Sequence, residues 1–240
     1  TLAERSAVRF IHTADWHLGR LFHNIHLTDD QRFTLEGLIR LAEDRHVDAV
    51  VVAGDVFDRA VPPTDAVDLL DDVVGTLALD LHISVVLIAG NHDSAARLEY
   101  FSGLARRAGV HVVGRVGARP RPAEVVGADG THVRFWPLAY TDPETARYEL
   151  GRDDIHSHEG VLAAELELMA PDMSAGARDV LVAHAFVAGC RASESERSSL
   201  CRSFVQPETL PRCWATRPDG PGGCATGHAP KSTGDGSKPL

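Results

Sequence analysis

Several side chains that can bind a metal ion stand just after apolar, strand-like segments of this sequence. An aspartate and a histidine, two residues apart, come after residues 7–11, and an aspartate follows residues 47–53. A third apolar run, residues 83–89, ends in Gly-Asn-His-Asp, and a histidine stands near the end of a fourth, residues 179–186. Carboxylate, amide and imidazole groups at the ends of several strands are typical of an active site. The candidate side chains are Asp15, His17, Asp55, Asn91, His92, Asp93 and His184.

Each of these short motifs is weak evidence by itself. Asp-x-His strings are common, with the aspartate capping a turn and the histidine an ordinary surface residue. His184 alone is more typical of a core histidine. Side chains at positions i and i+2 of an extended segment point the same way, so Asp15 and His17 can bind one ion from one side. Four strands that end in the same chemistry favour one shared site.

The types of donor atom indicate which metal ions the site would bind and which reaction it would catalyse. Carboxylate, amide oxygen and imidazole groups without a thiolate favour Mn²⁺, Fe²⁺ or Zn²⁺ in a reactive site over a structural zinc. A carboxylate between two ions about 3.5 to 4 Å apart can bridge them, and such a pair clamps a phosphoryl group and activates water. The sequence therefore predicts a phosphoester hydrolase.

The segments that carry these side chains predict an α/β fold. Continuously apolar runs such as residues 47–53 indicate strands buried on both faces, as in a sheet covered by helices. Strands that alternate with helices form layers, and ligands bind at the carboxyl ends of the strands. A capping box of Thr28 and Gln31 predicts the start of the first helix. Helices are predicted over residues 28–46, 62–77, 94–107 and 161–170, and residues 141–144 are a further helix-start signal. Further strands are predicted over 110–113 and 132–138, and a loop or hairpin over 114–130.

Composition limits the class of protein. The chain has 240 residues, 44% of them hydrophobic, and a net charge of −10. This charge argues against a surface that binds DNA through lysine and arginine alone, but not against a nucleic-acid enzyme whose positive charge comes from metal ions. No apolar run approaches the roughly 18 residues of a membrane span, and the N-terminus lacks a signal pattern. We therefore expect a cytoplasmic protein without membrane contact.

The order of the motifs, D-x-H, G-D, G-N-H-D and H, resembles the calcineurin-like metallophosphoesterase superfamily. Longer strings resemble the SbcD nucleases, which act with the ATPase SbcC: R-F-I-H-T-A-D-W-H-L-G-R at 9–20, V-D-A-V-V-V-A-G-D-V-F-D at 47–58 and V-V-L-I-A-G-N-H-D-S at 85–94. The resemblance runs over residues 8–197 and includes A-H-A-F-V-A-G and S-E-S-E-R. It implies a metallophosphoesterase sandwich of mixed β-sheets flanked by helices.

The resemblance also implies roles for the candidate residues. The site would hold two divalent ions, Mn²⁺ in this family, with Asp55 bridging them. His92 would stabilise the transition state or protonate the leaving oxygen, and Asp93 would orient its imidazole. One ion would be held by Asp15 and His17, the other by Asn91 and His184.

A DNA nuclease is the activity that the resemblance implies, with 3′–5′ exonuclease action on double strands and endonuclease action on single strands or hairpins. Such an enzyme serves DNA repair and recombination. Its implied partners are DNA, an SbcC-type ATPase subunit and a second copy of the chain.

The sequence departs from the family after residue 197. The family completes its site with Gly-His-x-His on a further strand, whereas this sequence has only the echo Gly227-His228-Ala229-Pro230. Residues 198–240 lose apolar periodicity and contain both lysines, so we interpret them as a tail outside the family domain, disordered or translated out of frame. The frame that starts at the third base of the Cys213 codon encodes Leu-Gly and then NAC, a histidine codon when N is C, but it does not recover the second histidine of the motif. Either the gene has more than one lesion or the match is partly chance. Genomic sequencing tests this hypothesis, and with those ligands missing we expect impaired catalysis.

Two other interpretations remain open from the sequence. A cyclic-nucleotide phosphodiesterase or a protein phosphatase shares the bare motifs, although the residues around them, Trp16, Leu18, Gly19, Phe57 and Asp58, favour the nuclease. A catalytically dead remnant is favoured by the loss of Gly-His-x-His, and metal-dependent turnover would argue against it.

Overall fold

The computed structural model describes residues 8–117, 119–173 and 178–185. The strands in chain order are β1 (Phe10–Thr13), β2 (Leu21–Phe22), β3 (Ile25–His26), β4 (Ala49–Ala53), β5 (Ser84–Ile88), β6 (Val110–Val113), β7 (Ala123–Val126), β8 (His132–Leu138) and β9 (Arg178–Ala183). The α-helices are α1 (Thr28–Asp44), α2 (Thr64–Gly75), α3 (Ala95–Leu98), α4 (Ser102–Ala105), α5 (Pro143–Leu150) and α6 (His158–Met169).

A parallel sheet in the order β1-β4-β5-β6 carries most of the candidate residues. Its register pairs Thr13 with Val52 and Val52 with Leu87, so β1, β4 and β5 end at the same edge. Parallel strands need crossover connections, and α1 and α2 provide the first two. The loops that follow β1, β4 and β5 therefore meet at the carboxyl edge of this sheet.

The position of β4 between two hydrophobic cores explains why its sequence is apolar without interruption. Successive side chains of a strand point to opposite faces. Val50 and Val52 pack on one face into a core with residues of α1 and α2 such as Leu35 and Leu69. Val51 packs on the other face into a core that includes residues of a second sheet. Burial on both faces is thus confirmed, but a sheet covers the second face where the sequence suggested helices.

The second sheet has the order β7-β8-β9, with β7 antiparallel and β9 parallel to β8. Its inner face supplies Phe135 and Val182 to the core between the sheets. On its outer face Trp136 packs with Leu166 and Met169 of α6. The layers are therefore helices, parallel sheet, mixed sheet and helix, which confirms the predicted sandwich of mixed sheets flanked by helices.

Two local predictions were wrong. The helix expected over residues 94–107 is broken into α3, α4 and a 3₁₀ turn, because Phe101 has a φ of 60° in the left-handed region, which a helix cannot accommodate. The capping box is not formed. The N-cap of α1 is Leu27, without a side-chain cap, and the Thr28 hydroxyl donates to Asp65.

Other local predictions were closer. The stretch 114–130 contains β7, which forms a hairpin with β8. Asp142 caps α5 by accepting hydrogen bonds from the backbone of Glu144 and Thr145. The predicted tail, residues 198–240, and the Ser-Glu-Ser-Glu-Arg string lie outside the described residues and stay predictions. Within the described residues, no helix has both the length and the apolar character to cross a bilayer.

Candidate metal centre

Backbone hydrogen bonds join the loops that carry the candidate ligands. Beyond β1, the amide of Asp15 donates to the carbonyl of Gly54 at 3.1 Å, and the amide of His17 donates to that of Asp55 at 2.9 Å. Leu18 forms an isolated parallel bridge with Phe57. The pairing of β1 with β4 therefore continues past the strand ends and fixes Asp15 and His17 beside Asp55.

Several residues of these loops have left-handed backbone conformations. The φ angles are 55° at Asp15, 45° at His17 and 49° at Asp55. Such angles are uncommon for residues with a side chain and tend to cluster where a site requires them. Each bends the chain sharply at a strand end, so the side chains turn towards a common space.

Asp55 is the central side chain of this space. It is 4% exposed, and its Oδ1 accepts a hydrogen bond from the backbone amide of His92 at 2.9 Å. Its Oδ2 lies 3.7 Å from Nε2 of His17 and 3.6 Å from Nε2 of His184. A single carboxylate oxygen thus faces two imidazoles, one contributed by each sheet.

The ring of His184 is oriented by the backbone. Its Nδ1 lies 2.9 Å from the carbonyl oxygen of Ala53, and since a carbonyl only accepts, the proton lies on Nδ1. Nε2 then presents a lone pair to Oδ1 of Asn91 at 3.2 Å and to Oδ2 of Asp55. In the neutral ring these three atoms are all acceptors, and a cation bound among them would satisfy all three.

His17 is the second imidazole beside Asp55. Its Nε2 is 3.9 Å from Oδ1 of Asp15 and 3.7 Å from Oδ2 of Asp55. Burial lowers the pKa of its imidazole, against the opposing charge of Asp55, and this favours the neutral ring, which has a lone pair to donate. Separations of 3.6 to 3.9 Å exceed a hydrogen bond but suit donor atoms on two sides of an ion with bonds of about 2.0–2.2 Å.

The donor atoms form two groups that share Asp55. One group consists of His17, Asp55 and His92, and the other of Asp15, Asp55 and His184, and within each group all donor atoms lie within 4.8 Å of one another. The residues therefore fit two divalent ions bridged by Asp55. His92 lies as close to His17 and Asp55 as a metal ligand would, so distance alone does not show whether it binds an ion or acts on the substrate.

A family model for the calcineurin-like phosphoesterases matches residues 8–197. The match covers every residue of the centre. This chain belongs to that family. Its members are metal-dependent phosphoester hydrolases, and the two donor groups around Asp55 are the candidate site for the metal ions of this phosphoesterase.

His92 of this phosphoesterase is held by Asp58. The Nδ1 of His92 lies 2.9 Å from the backbone carbonyl of Asp58, so Nδ1 carries a proton and Nε2 is left for another partner. The ring contacts that of His17 edge to face, with centroids 4.8 Å apart. The Asp58 carboxylate is the near neighbour of Nδ1 of His17, at 3.4 Å. Asp58 thus contacts both imidazoles.

Asp93 has a different role from the expected one. Its carboxylate accepts hydrogen bonds from the backbone amides of Gly90, Val56 and Phe57 at 2.8 to 3.0 Å. Burial raises the pKa of this carboxyl, while the three amides oppose the rise. Asp93 ties the loop after β5 to the loop after β4, and the contact that orients the imidazole of His92 is with the Asp58 carbonyl.

Two glycines allow the loops to approach one another. A Cβ on Gly90 would collide with the backbone nitrogen and Oδ1 of Asp55. A Cβ on Gly54 would collide with the ring of His184, and the φ of 90° at Gly54 also favours glycine. These contacts give a physical reason for Gly-Asp after β4 and Gly-Asn-His-Asp after β5.

Two side chains of the site, Asp58 and Gln31, were not among the candidates that the motifs predicted. Asp58 stands three residues after Asp55 in the G-D-V-F-D string, and that spacing was a signal that it could join the site. Gln31 was interpreted as a capping residue, but its carboxamide binds the loop around His17. No local pattern signals this contact, since it joins a helix to a loop more than ten residues away.

Proposed function

We propose that this phosphoesterase is a metal-dependent DNA nuclease of the SbcD type. The observation that carries the hydrolytic part is the position of Asp55 Oδ2 between the Nε2 atoms of His17 and His184. A carboxylate oxygen shared by two donor groups is the arrangement that a two-metal hydrolase requires.

We propose the ligand roles that the family resemblance implies: Asp15 and His17 would hold one ion, Asn91 and His184 would hold the other, and Asp55 would be shared by both. The two donor groups support Asp55 as the shared ligand, but they divide the other side chains differently, with Asp15 beside His184 and His17 beside His92. Bound divalent ions supply Lewis acidity that neutralises the charge of a phosphodiester and lowers the pKa of water. The family uses divalent metals, and we propose Mn²⁺.

His92 acts on the substrate in this proposal. It is exposed and lies next to Asn91 in the turn after β5. With Nδ1 held by the carbonyl of Asp58, its Nε2 is directed away from that contact and can donate a proton to the leaving oxygen or a hydrogen bond to the phosphate.

The sequence strings around the ligands support DNA as the substrate. Trp16, Leu18 and Gly19 follow the first ligand, and Phe57 and Asp58 follow the bridging aspartate, as in the SbcD nucleases. We propose 3′–5′ exonuclease action on duplexes and endonuclease action on single strands and hairpins, in DNA repair and recombination. An SbcC-type ATPase is the proposed partner.

A second copy of the chain is a further proposed partner. Tyr100, Phe101 and Leu104 are 73%, 61% and 63% exposed, and the rings of Tyr100 and Phe101 lie 4.2 Å apart. An exposed apolar surface of this kind suits a protein interface. Sedimentation at several concentrations tests it.

The decisive experiment measures Mn²⁺-dependent cleavage of end-labelled duplex and hairpin DNA by the purified protein. We expect weak cleavage, because the Gly-His-x-His ligands are missing. It should be lost in Asp55→Ala and in His92→Ala, while Asp71→Ala, at an exposed aspartate of α2, retains it. Isothermal titration of the same variants should show that Asp55→Ala loses Mn²⁺ binding, whereas His92→Ala retains it if His92 acts on the substrate.

The alternatives give different outcomes in the same assay. Hydrolysis of a cyclic nucleotide or a phosphoprotein without cleavage of DNA would replace the nuclease with another metallophosphoesterase. Weak Mn²⁺ binding together with no turnover of any phosphodiester would show that the chain is a nuclease by descent only, as the missing Gly-His-x-His motif suggested.

A further inference from the structure

The side chain of Gln31, on the first turn of α1, makes three hydrogen bonds to the loop that carries His17. Its Nε2 donates to the carbonyl of His17 at 2.8 Å and to that of Trp16 at 3.1 Å. Its Oε1 accepts from the amide of Gly19 at 3.1 Å. One carboxamide therefore holds backbone groups on both sides of a proposed metal ligand.

The loop needs such support because of its conformation. His17 has a φ of 45° and Asp15 a φ of 55°, both in a region that residues with a Cβ rarely adopt. A conformation of this kind persists when surrounding contacts determine it. On one side the loop is bonded to the segment after β4 through the amides of Asp15 and His17, and on the other side it is bonded to Gln31.

The three backbone groups that Gln31 contacts require a side chain with both N–H donors and an acceptor, which a carboxamide provides. Two of them are carbonyl oxygens, which need N–H donors, and the third is an N–H, which needs an acceptor. Glutamate has the same shape as glutamine but lacks the donors, and it would place a carboxylate against two carbonyl oxygens. Methionine has a similar length and supplies neither donor nor a strong acceptor.

Helix α1 gives Gln31 a fixed base. Leu35 and Ala42 of the same helix are buried in the core against the parallel sheet. The side chain of Gln31 does not cap the helix, since α1 has no side-chain cap hydrogen bond. The contacts of Gln31 with the loop thus connect a packed helix to the residue whose Nε2 faces Asp55.

We propose that Gln31 is a positioning residue for His17: it holds the backbone of residues 16–19 so that the imidazole presents Nε2 to the metal ion beside Asp55. This inference rests on the proposed metal site and extends it to a residue outside the metal-binding motifs. Gln31 contacts no reacting atom, and its effect is on the affinity for the ion and on the order of the loop.

The test compares Gln31→Glu and Gln31→Met with the wild type and with Thr34→Glu. Thr34 is exposed on the same helix, so its variant adds the same charge as Gln31→Glu without touching the loop. Titration calorimetry with Mn²⁺ should show affinity weakened about tenfold to a hundredfold in both Gln31 variants and changed less than about twofold in Thr34→Glu.

Amide hydrogen exchange in the metal-free proteins gives a readout that does not depend on the ion. The amides of His17 and Leu18 donate to Asp55 and Val56, and they should exchange at least about tenfold faster in Gln31→Met, while the amides of β4 and β5 keep their rates. A general loss of stability would instead accelerate exchange throughout the parallel sheet.

Two outcomes would overturn the inference. One is an unchanged Mn²⁺ affinity in Gln31→Glu and Gln31→Met, even if their melting temperatures fall. The other is unchanged exchange at His17 and Leu18. If the wild type binds no divalent ion, the proposed function fails, and the exchange rates of the metal-free proteins still decide whether Gln31 holds this loop.

Discussion

In the metal centre of this phosphoesterase, the two polar atoms of one side chain contact different partners. Asp55 uses Oδ1 to accept the His92 amide and Oδ2 to face two imidazoles. His184 uses Nδ1 to bind the carbonyl of Ala53, which leaves Nε2 for the site. The sequence identified these residues by type and order, but it could not assign their atoms, because that assignment depends on backbone groups of other loops.

Glu165 is a buried carboxyl outside the metal centre, on α6. It is 3% exposed, its Oε2 has no hydrogen-bond partner, and burial raises its pKa to about 8. The ordinary pKa of the group is 4.5. From about pH 4.5 to about pH 8 the unfolded chain therefore loses this proton while the folded chain keeps it, so the free energy of unfolding falls as pH rises.

We predict that Glu165→Gln removes this pH dependence. Between pH 4.5 and about pH 8 the free energy of unfolding of the wild type should fall, relative to that of the variant, by up to about 1.4 kcal/mol per pH unit. The stability advantage of the variant is therefore largest at pH 8 and smallest at pH 5. Urea unfolding at both pH values measures it, with Glu167→Gln, an exposed neighbour, as control. An equal stability difference between variant and wild type at the two pH values would contradict the prediction.

Strands and loops place the ligands through close backbone contact. The register of β1, β4 and β5 aligns their carboxyl ends, and glycines let the loops after β4 and β5 touch the ligand side chains. The sequence predicted the existence of these strands from their apolar runs. The predicted ends differ from the strand ends by up to three residues, because an apolar run does not mark where ladder hydrogen bonds begin and end: the run 7–11 stops before the end of β1, whereas the run 83–89 extends past both ends of β5.

We predict opposite effects of alanine at two glycines. Gly90→Ala forces a Cβ into Asp55, so it should lower the free energy of unfolding by about 1–3 kcal/mol and weaken Mn²⁺ binding. Gly75→Ala, in α2 with a φ of −58° and open space around the new Cβ, should be neutral or stabilise by up to about 1 kcal/mol. Chemical denaturation and calorimetry measure both effects, and equal stabilities of the two variants would show that the loop contact at Gly90 is not tight.

The molecule as a whole brings ligands from two sheets to one place. Asp15, His17, Asp55 and Asn91 follow strands of the parallel sheet, whereas His184 follows β9 of the mixed sheet. An ion held by Asp55 and His184 would connect the two sheets beside the core that contains Val51 and Phe135. Binding of an ion to the folded chain alone must therefore raise its stability.

We predict that Mn²⁺ raises the melting temperature of the wild type. At a hundred times the dissociation constant the gain is about 2.7 kcal/mol per ion, equivalent to roughly 5–10 °C for a domain of this size. His184→Ala should lose part of the increment and Asp55→Asn most of it, while Asp71→Asn should keep it. Scanning calorimetry with and without EDTA measures the effect. If Mn²⁺ does not change the melting temperature of the wild type, the two donor groups bind no ion in the folded protein.

The amino-acid sequence by itself determined the general class of chemistry and most of the secondary-structure elements of this protein. Apolar, β-branched runs and helical periodicity predicted most of the elements, because side-chain patterning follows the geometry of strands and helices. The types of donor at the strand ends predicted a metal centre. Their order along the chain was enough for the family resemblance, and the family match supports it.

Only the tertiary structure decided how these parts meet. The division into two sheets, the sharing of Asp55 Oδ2 by His17 and His184, and the contacts of Gln31 and Asp58 join residues distant in sequence. Such contacts depend on packing and on hydrogen bonds to the backbone, which a local pattern does not encode. The same reason explains why Asp93 binds loop amides and why a sheet covers the inner face of β4.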